Sequence, residues 1–149
     1  MKIYIATTSK LKETAQLITA KLHSQGHQVF NPCEELLGRP MFYWPRLLVE
    51  GEADLENYDI KILLKKENIQ RAFQKDKKWL DWADCCILTI PSGRLSHMKA
   101  GYAKGCGKSL FVLGEFKEEL DIMHNLADGI YELTEMDLLL QTLERGSGC

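Results

Sequence analysis

Short runs of apolar, β-branched or aromatic residues alternate along the chain with longer segments in which apolar positions recur every three or four residues. The first run, Lys2 to Ala6 (KIYIA), predicts a strand, and Thr7, Thr8 and Ser9 supply caps for a helix over Lys10 to Ser24. Leu11, Ala15, Ile18 and Leu22 give that helix one apolar stripe. Gly26 predicts a turn, Gln28 to Phe30 a short strand and Pro32 a break, which together begin a β-α-β unit. From Cys33 to Tyr58 the periodicity fails, and Gly38, Pro40, Pro45 and Gly51 punctuate a stretch that also holds Phe42, Tyr43 and Trp44. A segment of this kind is either a lid over a pocket or an aromatic plug at the edge of the core.

Helical periodicity returns over Ile60 to Trp82, with Ile62, Ile69, Ala72, Phe73, Leu80 and, just beyond, Ala83 as inward positions. Cys85 to Ile90 (CCILTI) is apolar nearly throughout, the pattern of a central parallel strand covered on both faces. After Pro91 a helix is expected from about Ser96. Ser109 to Gly114 then predicts a strand, Glu118 to Asp128 a helix, Gly129 to Leu133 a last strand and Glu135 to Leu143 a closing helix. Strands alternating with helices predict an α/β domain with a parallel sheet flanked by helices. In such sheets ligands bind where loops leave the carboxyl ends of strands, so Thr7 to Ser9 and Ser92 to Lys99 are expected to line one crevice.

With 149 residues, 45% of them hydrophobic, the chain is the size of one domain with one core, here residues 1–145. The closing Gly-Ser-Gly-Cys at 146–149 has the composition of a linker or tag remnant. A net charge of −2 excludes the broad basic footprint that holds a nucleic acid polymer, and Lys75 to Lys78 (KDKK) is expected to be a solvated face. No apolar run approaches the ~20 residues of a membrane span, and the opening run is too short for a signal-peptide core, so a cytoplasmic protein without membrane contact is expected. Cys33, Cys85, Cys86, Cys106 and Cys149 contain no CxxC pair, and reduced thiols with no metal are expected. Neither a Walker lysine motif nor a dinucleotide fingerprint is present.

The chemistry concentrates in PSGRLSHMKAGYAKGCGK, residues 91–108. Ser92, Gly93, Arg94, Ser96 and His97 join hydroxyls, a guanidinium and an imidazole to the exposed N–H groups of a helix start, a combination suited to a phosphate or carboxylate. Arg94 reads equally as a ligand contact or a surface ion-pair partner, and His97 more readily as a structural histidine bonded to the lid loop or a neighbouring strand. Gly101 and Gly105, four apart, suggest a close approach of helix to sheet.

KIYIATTSK, GHQVFNP, WLDWADCCILTIPSGRLSHMKAGYAKGCGK and the later LAD together resemble the nucleoside 2-deoxyribosyltransferase-like superfamily, whose members include transferases and nucleotide N-glycosidases. The likeness is strongest to bacterial and phage branches and runs from Met1 to about Leu143, matching Cys33 to Tyr58 only loosely. It implies a flavodoxin/Rossmann-like three-layer sandwich with a central, mainly parallel five-stranded sheet. It also implies a small nucleoside or nucleotide ligand, no cofactor, and a homo-oligomer in which a neighbour helps complete the pocket. In the active enzymes of this superfamily a glutamate on the helix after the central strand attacks the anomeric carbon, a role suited to a carboxylate because it is nucleophilic at neutral pH and stabilises an oxocarbenium-like transition state.

The matching position here is Lys99, which removes the nucleophile and puts positive charge where positive charge develops. A unit charge pair at 4 Å is worth about 4 kcal/mol at an effective dielectric near 20, so the superfamily's standard reaction is expected to be slowed severely. Asp76 falls near the aspartate that positions the ligand, whereas Asp84 reads as a cap or structural acid. Lys99 itself has three readings: a lysine turned to solvent by a local shift of the helix, a phosphate ligand beside Arg94, or a Schiff-base or proton-transfer group. The candidate site therefore comprises Lys99 and Asp76, with Thr7, Thr8, Ser9, Ser92, Gly93, Arg94, Ser96 and His97 as ligand contacts and Trp44 as a face for a base to stack on. The expected function is binding of a nucleotide or nucleotide-derived molecule without standard N-glycosidic cleavage, which could serve to sequester a nucleotide signal. The alternatives are a deoxyribosyltransferase or N-glycosidase working through another residue, and a protein-interaction module using Phe42, Tyr43 and Trp44.

Overall fold

The computed structural model describes residues 1–36, 39–40, 59–116 and 121–146. In chain order these form β1 (Lys2–Ala6), α1 (Lys12–Ser24), β2 (Gln28–Phe30), β3 (Glu35–Leu36), β4 (Arg39–Pro40), α2 (Ile60–Leu63), α3 (Glu67–Trp82), β5 (Cys85–Ile90), α4 (Arg94–Gly105), β6 (Ser109–Gly114), β7 (Gly129–Glu132) and α5 (Met136–Gly146). Five strands pair in the order β2-β1-β5-β6-β7, all parallel, and β3 and β4 form a separate small antiparallel hairpin that the sequence pattern did not predict. The order reverses between β1 and β5, and there the carboxyl-end crevice of such a sheet opens.

Alternation along the strands divides the core into two layers. Ile3, Ile5, Cys85, Ile87 and Leu113 face Ala15, Ile18 and Leu22 of α1 and Leu139 and Leu143 of α5. Tyr4, Ala6, Cys86, Leu88, Ile90 and Val112 face the other way, toward Leu80 of α3 and Ala100 and Ala103 of α4. The neighbouring Cys85 and Cys86 thus serve opposite layers, both as buried free thiols. Helices cover both faces of the sheet, which is the expected three-layer α/β architecture. No helix among the described residues is long and apolar enough to cross a membrane.

Several expectations fail at the element ends and helix faces. The helix expected over Ile60 to Trp82 is two helices: Asp59 caps α2 by accepting from the Lys61 N–H at 2.8 Å, and a turn through Leu64 to Lys66 restarts the chain as α3. Ile62, on the separate α2, and Phe73, at the flank of the inward face of α3, are 61% and 54% exposed instead of inward, while Asp76, seven after Ile69 and four before Leu80, turns inward with them. Lys75 and Lys78 are exposed as a solvated face requires, but Asp76 is not part of it. Gly101 and Gly105 lie on the exposed side of α4, with nothing near the place a Cβ would occupy; the close approach to the sheet is made by Ala100 and Ala103. Thr7 to Ser9 make no side-chain cap: a 3-10 turn over Ser9–Leu11 leads into α1, and Thr7 is used elsewhere.

Helix α4 starts at Arg94 with Gly93 as its N-cap, two residues before the expected start. Of the helix expected before β7, the described part is only a 3-10 turn, Ile122–Leu126, begun by Asp121 accepting from the Met123 N–H. Asp84 acts as a structural acid, clipping the start of β1 by accepting from the Lys2 N–H at 2.9 Å.

Candidate functional site

At the switch in strand order, the hydroxyl of Thr89, at the end of β5, donates to Thr7 Oγ1 just beyond β1 at 2.7 Å. Ser96, in the first turn of α4, donates to the Thr7 carbonyl at 3.0 Å. The loop after β1 and the helix after β5 therefore meet as the topology requires, and Thr7 and Ser96 are the residues that join them. Gly93 and Arg94 stand exposed at the start of α4 beside buried Ser92, and Thr8 and Ser9 lie in the loop on the β1 side.

His97 follows Ser96 in the first turns of α4, and most of the loop from Cys33 to Tyr58 to which it was expected to bond lies outside the described residues. Its Nδ1 lies 3.2 Å from the Gly93 carbonyl one turn back on its own helix. Its ring stacks on that of His124, with centroids 5.7 Å apart, and Phe116 meets His124 edge-on. His124 is buried, and neither of its ring nitrogens has a hydrogen-bond partner among the described residues.

One turn beyond Ser96, Lys99 points into the protein; the solvent-facing reading is excluded, since its side chain is 10% exposed. Its Nζ lies 2.6 Å from Asp76 Oδ2 on α3 and donates to the Tyr4 hydroxyl on β1 at 3.0 Å. The Tyr4 hydroxyl donates in turn to Asp76 Oδ1 at 2.5 Å. Three elements thus close a triangle of ammonium, carboxylate and phenol beside the apolar layer that contains Leu80 and Ala103. Buried charges are tolerated in such surroundings only when paired and hydrogen-bonded, and here each satisfies another. Burial, reinforced by the Asp76 carboxylate, pushes the Tyr4 phenol far above its ordinary range, so it stays a donor.

Lys99 and Asp76 line a cavity of about 210 Å³ between α3 and α4, whose remaining walls include Phe73, Leu80, Leu95 and Met98. At its rim Tyr102 donates to Asp81 at 2.6 Å, and Lys77 pairs with the same carboxylate at 2.6 Å, tying α4 to α3. A second cavity, of about 430 Å³, lies at the carboxyl ends of β6 and β7 between Glu115, Phe116, Glu132 and Thr134. The ligand contacts expected at Thr7 to Ser9 and Ser92 to Arg94 line neither cavity. Trp44, with Phe42 and Tyr43, lies outside the described residues. Among the described residues no group of three or more His, Cys, Asp or Glu side chains is arranged to hold a metal.

Sequence reasoning missed Tyr4, Thr89 and the apolar walls of the first cavity. Tyr4 and Thr89 were legible as hydroxyls inside strands covered on both faces, where a buried polar group must find a partner. Leu95, Met98, Lys99 and Tyr102 fall at i, i+3, i+4 and i+7 of α4, a second stripe beside the one formed by Ala100 and Ala103.

No family model and no curated protein matches the sequence. Among solved structures, the chain is similar to the 2-deoxyribosyltransferase of Bacillus psychrosaccharolyticus, with 16% identity, 93% of this chain and 90% of that chain covered, and a TM-score of 0.62. It is also similar to the CMP N-glycosidase BcmB of Clostridium botulinum, with 14% identity, coverage of 97% and 98%, and a TM-score of 0.54. At these identities the likeness is one of fold, and the fold is 2-deoxyribosyltransferase-like.

Proposed function

We propose that the protein binds a nucleotide or nucleotide-derived small molecule and does not cleave its N-glycosidic bond by the carboxylate route. The observation that carries this reading is the Lys99 ammonium 2.6 Å from Asp76. Cleavage of a glycosidic bond through a carboxylate needs an anionic oxygen that can approach the anomeric carbon and a negative field where the sugar becomes cationic. Lys99 supplies neither, and Asp76 already accepts from Tyr4 with one oxygen and contacts Lys99 with the other. Removing a unit countercharge at about 4 Å from the reacting centre costs about 4 kcal/mol, roughly a thousandfold in rate, and setting a like charge in its place adds a cost of similar size.

Two features support a nucleotide as the ligand class. The proteins that share the fold are named for work on nucleosides and on CMP. The cavity beside Lys99 is mostly apolar with a few convergent polar groups, as small-molecule sites are, and the N-terminus of α4 with Arg94 offers N–H groups and a guanidinium to a phosphate. Sequestration of a nucleotide signal is the role that retention without cleavage would serve. A cytoplasmic homo-oligomer, with a neighbouring copy covering the exposed Phe73, Leu95 and Met98 at the cavity, belongs to the same proposal. A monomeric mass by light scattering at micromolar concentration would count against that part.

The test is incubation with a panel of nucleosides, nucleotides and cyclic nucleotides, followed by mass spectrometry of the filtrate and of the compound released on denaturation. The expected result is one intact compound retained, no free base, and a rise in melting temperature with that compound. Free base or a transferred sugar in the filtrate would establish the alternative, a transferase or glycosidase acting through another residue.

A further inference from the structure

We propose that Lys99 is also an imine-forming amine, which captures a small apolar aldehyde in the cavity between α3 and α4. The inference concerns the same cavity but does not depend on a nucleotide entering it. The other lysines that meet a carboxylate among the described residues, such as Lys21, Lys77 and Lys104, keep 29–39% of their side chains exposed and are hydrated ammonium ions. Lys99 differs in three respects at once: it is 9% exposed, it lines a cavity of about 210 Å³, and its Nζ touches both a carboxylate and a phenol.

Attack on a carbonyl requires the neutral amine. Asp76 Oδ2, 2.6 Å from Nζ, is placed to take the proton. Tyr4 is held as a phenol, and its hydroxyl, 3.0 Å from Nζ, is a proton donor beside the reacting nitrogen. The walls made by Phe73, Leu80, Leu95 and Met98 are apolar, with Phe73, Leu95 and Met98 more than half exposed at the mouth, and they favour an apolar body over a polyol.

The step balances without oxidant or reductant. Lys99 gives a proton to Asp76, its nitrogen pair forms the C–N bond, and the carbonyl π pair moves to oxygen, which takes that proton back as a hydroxyl. The carbinolamine then gives one nitrogen proton to the Asp76 carboxylate, with the Tyr4 hydroxyl beside it, and the departing hydroxyl takes that proton from Asp76 and leaves as water. The net change is R–CHO plus Lys–NH3⁺ giving R–CH=NH⁺–Lys plus H2O, and the single positive charge stays opposite the Asp76 carboxylate.

The experiment uses the full chain with benzaldehyde as the probe and sodium cyanoborohydride to reduce any imine to a stable N-benzyl lysine, followed by peptide mapping over a time course at neutral pH. Lys99 is expected to be labelled roughly tenfold faster than the exposed Lys65, Lys75 and Lys78, the gain coming from proximity of the acceptor and donor. Glyceraldehyde, a polar aldehyde, is expected to lack this selectivity. In Lys99→Arg, which keeps the cation but forms no imine, the fast adduct disappears while the slow surface adducts persist. Labelling of Lys99 no faster than those surface lysines overturns the proposal, and because that comparison is made within the unaltered protein it decides the matter even if the variant does not fold. Failure here leaves nucleotide retention intact, and failure of the nucleotide panel leaves the labelling result standing, so the two readings fall separately.

Discussion

Replacing Asp76 with Asn tests the central geometry most directly. The side chains of Asp76 and Lys99 are 15% and 10% exposed, and their charged atoms lie 2.6 Å apart. The amide oxygen can still accept from Lys99 while the NH2 in place of the other oxygen cannot accept from Tyr4, so the shape is kept while the countercharge and one acceptor are lost. Breaking a buried pair in this way costs 3–5 kcal/mol in other proteins, and the solvent that the cavity admits places the expectation at the lower end, about 3 kcal/mol. For a chain of this size that is a fall in melting temperature of roughly 6–12 °C. Lys99→Met is expected to cost less, since Tyr4 continues to donate to the remaining carboxylate. The double variant Asp76→Asn, Lys99→Met, which buries no charge, is expected to return to within about 1 kcal/mol of the parent. Urea unfolding followed by circular dichroism, with slopes compared to confirm equal exposure of surface, gives all three values and the coupling between them. An Asp76→Asn variant within about 0.5 kcal/mol of the parent, the range of a surface pair, would refute the buried-pair reasoning. So would single costs that simply add in the double variant.

Three further outcomes follow from other contacts. A Cβ on Gly114 would sit 2.0 Å from the Ile90 carbonyl oxygen on the adjacent strand, so Gly114→Ala is expected to cost about 3 kcal/mol or more by forcing β5 and β6 apart, and a near-normal unfolding midpoint would contradict the strand spacing. Ser96→Ala removes the bond to the Thr7 carbonyl at a buried position; a loss of about 1 kcal/mol is expected in the same assay, with weaker retention of any crevice ligand, and unchanged retention would show that the clasp does not shape the site. Burial, with help from the N-terminal ammonium, holds the His27 imidazole below its usual range, and neither ring nitrogen has a partner among the described residues. As pH falls below about 6.5 the unfolded chain takes a proton that the folded chain resists, so stability declines toward acid pH. His27→Leu is expected to flatten that part of the curve, and urea midpoints at pH 7.5 and 5.5 that change equally in both proteins would sink the assignment.

The strands were legible because their signals are local: CCILTI is apolar enough to demand cover on both faces, and KIYIA and SLFVLG pair beside it in parallel as that cover requires. The partners of Lys99 were not legible in this way. Asp76 sits among three lysines, where composition favours a solvated face, although its spacing of seven from Ile69 and four from Leu80 puts it on the inward face of α3. Tyr4 is legible as a strand hydroxyl that needs a partner, but which partners it takes is set only when β1 is placed against α3 and α4.

The consequence is that positions 76 and 99 form one electrostatic unit. Introducing a glutamate by Lys99→Glu alone would set a second carboxylate against Asp76 where an ammonium now lies, and one of the two would have to take up a proton or move away. Lys99→Glu is therefore expected to be less stable than Lys99→Glu combined with Asp76→Asn, in which the acid at 99 faces an amide that can donate to it. Absence of base release from the single variant would reflect that repulsion, so the double variant is the proper host for an assay of base release. Equal unfolding midpoints for the two would mean that the side chains at 76 and 99 do not share the pocket the structure gives them.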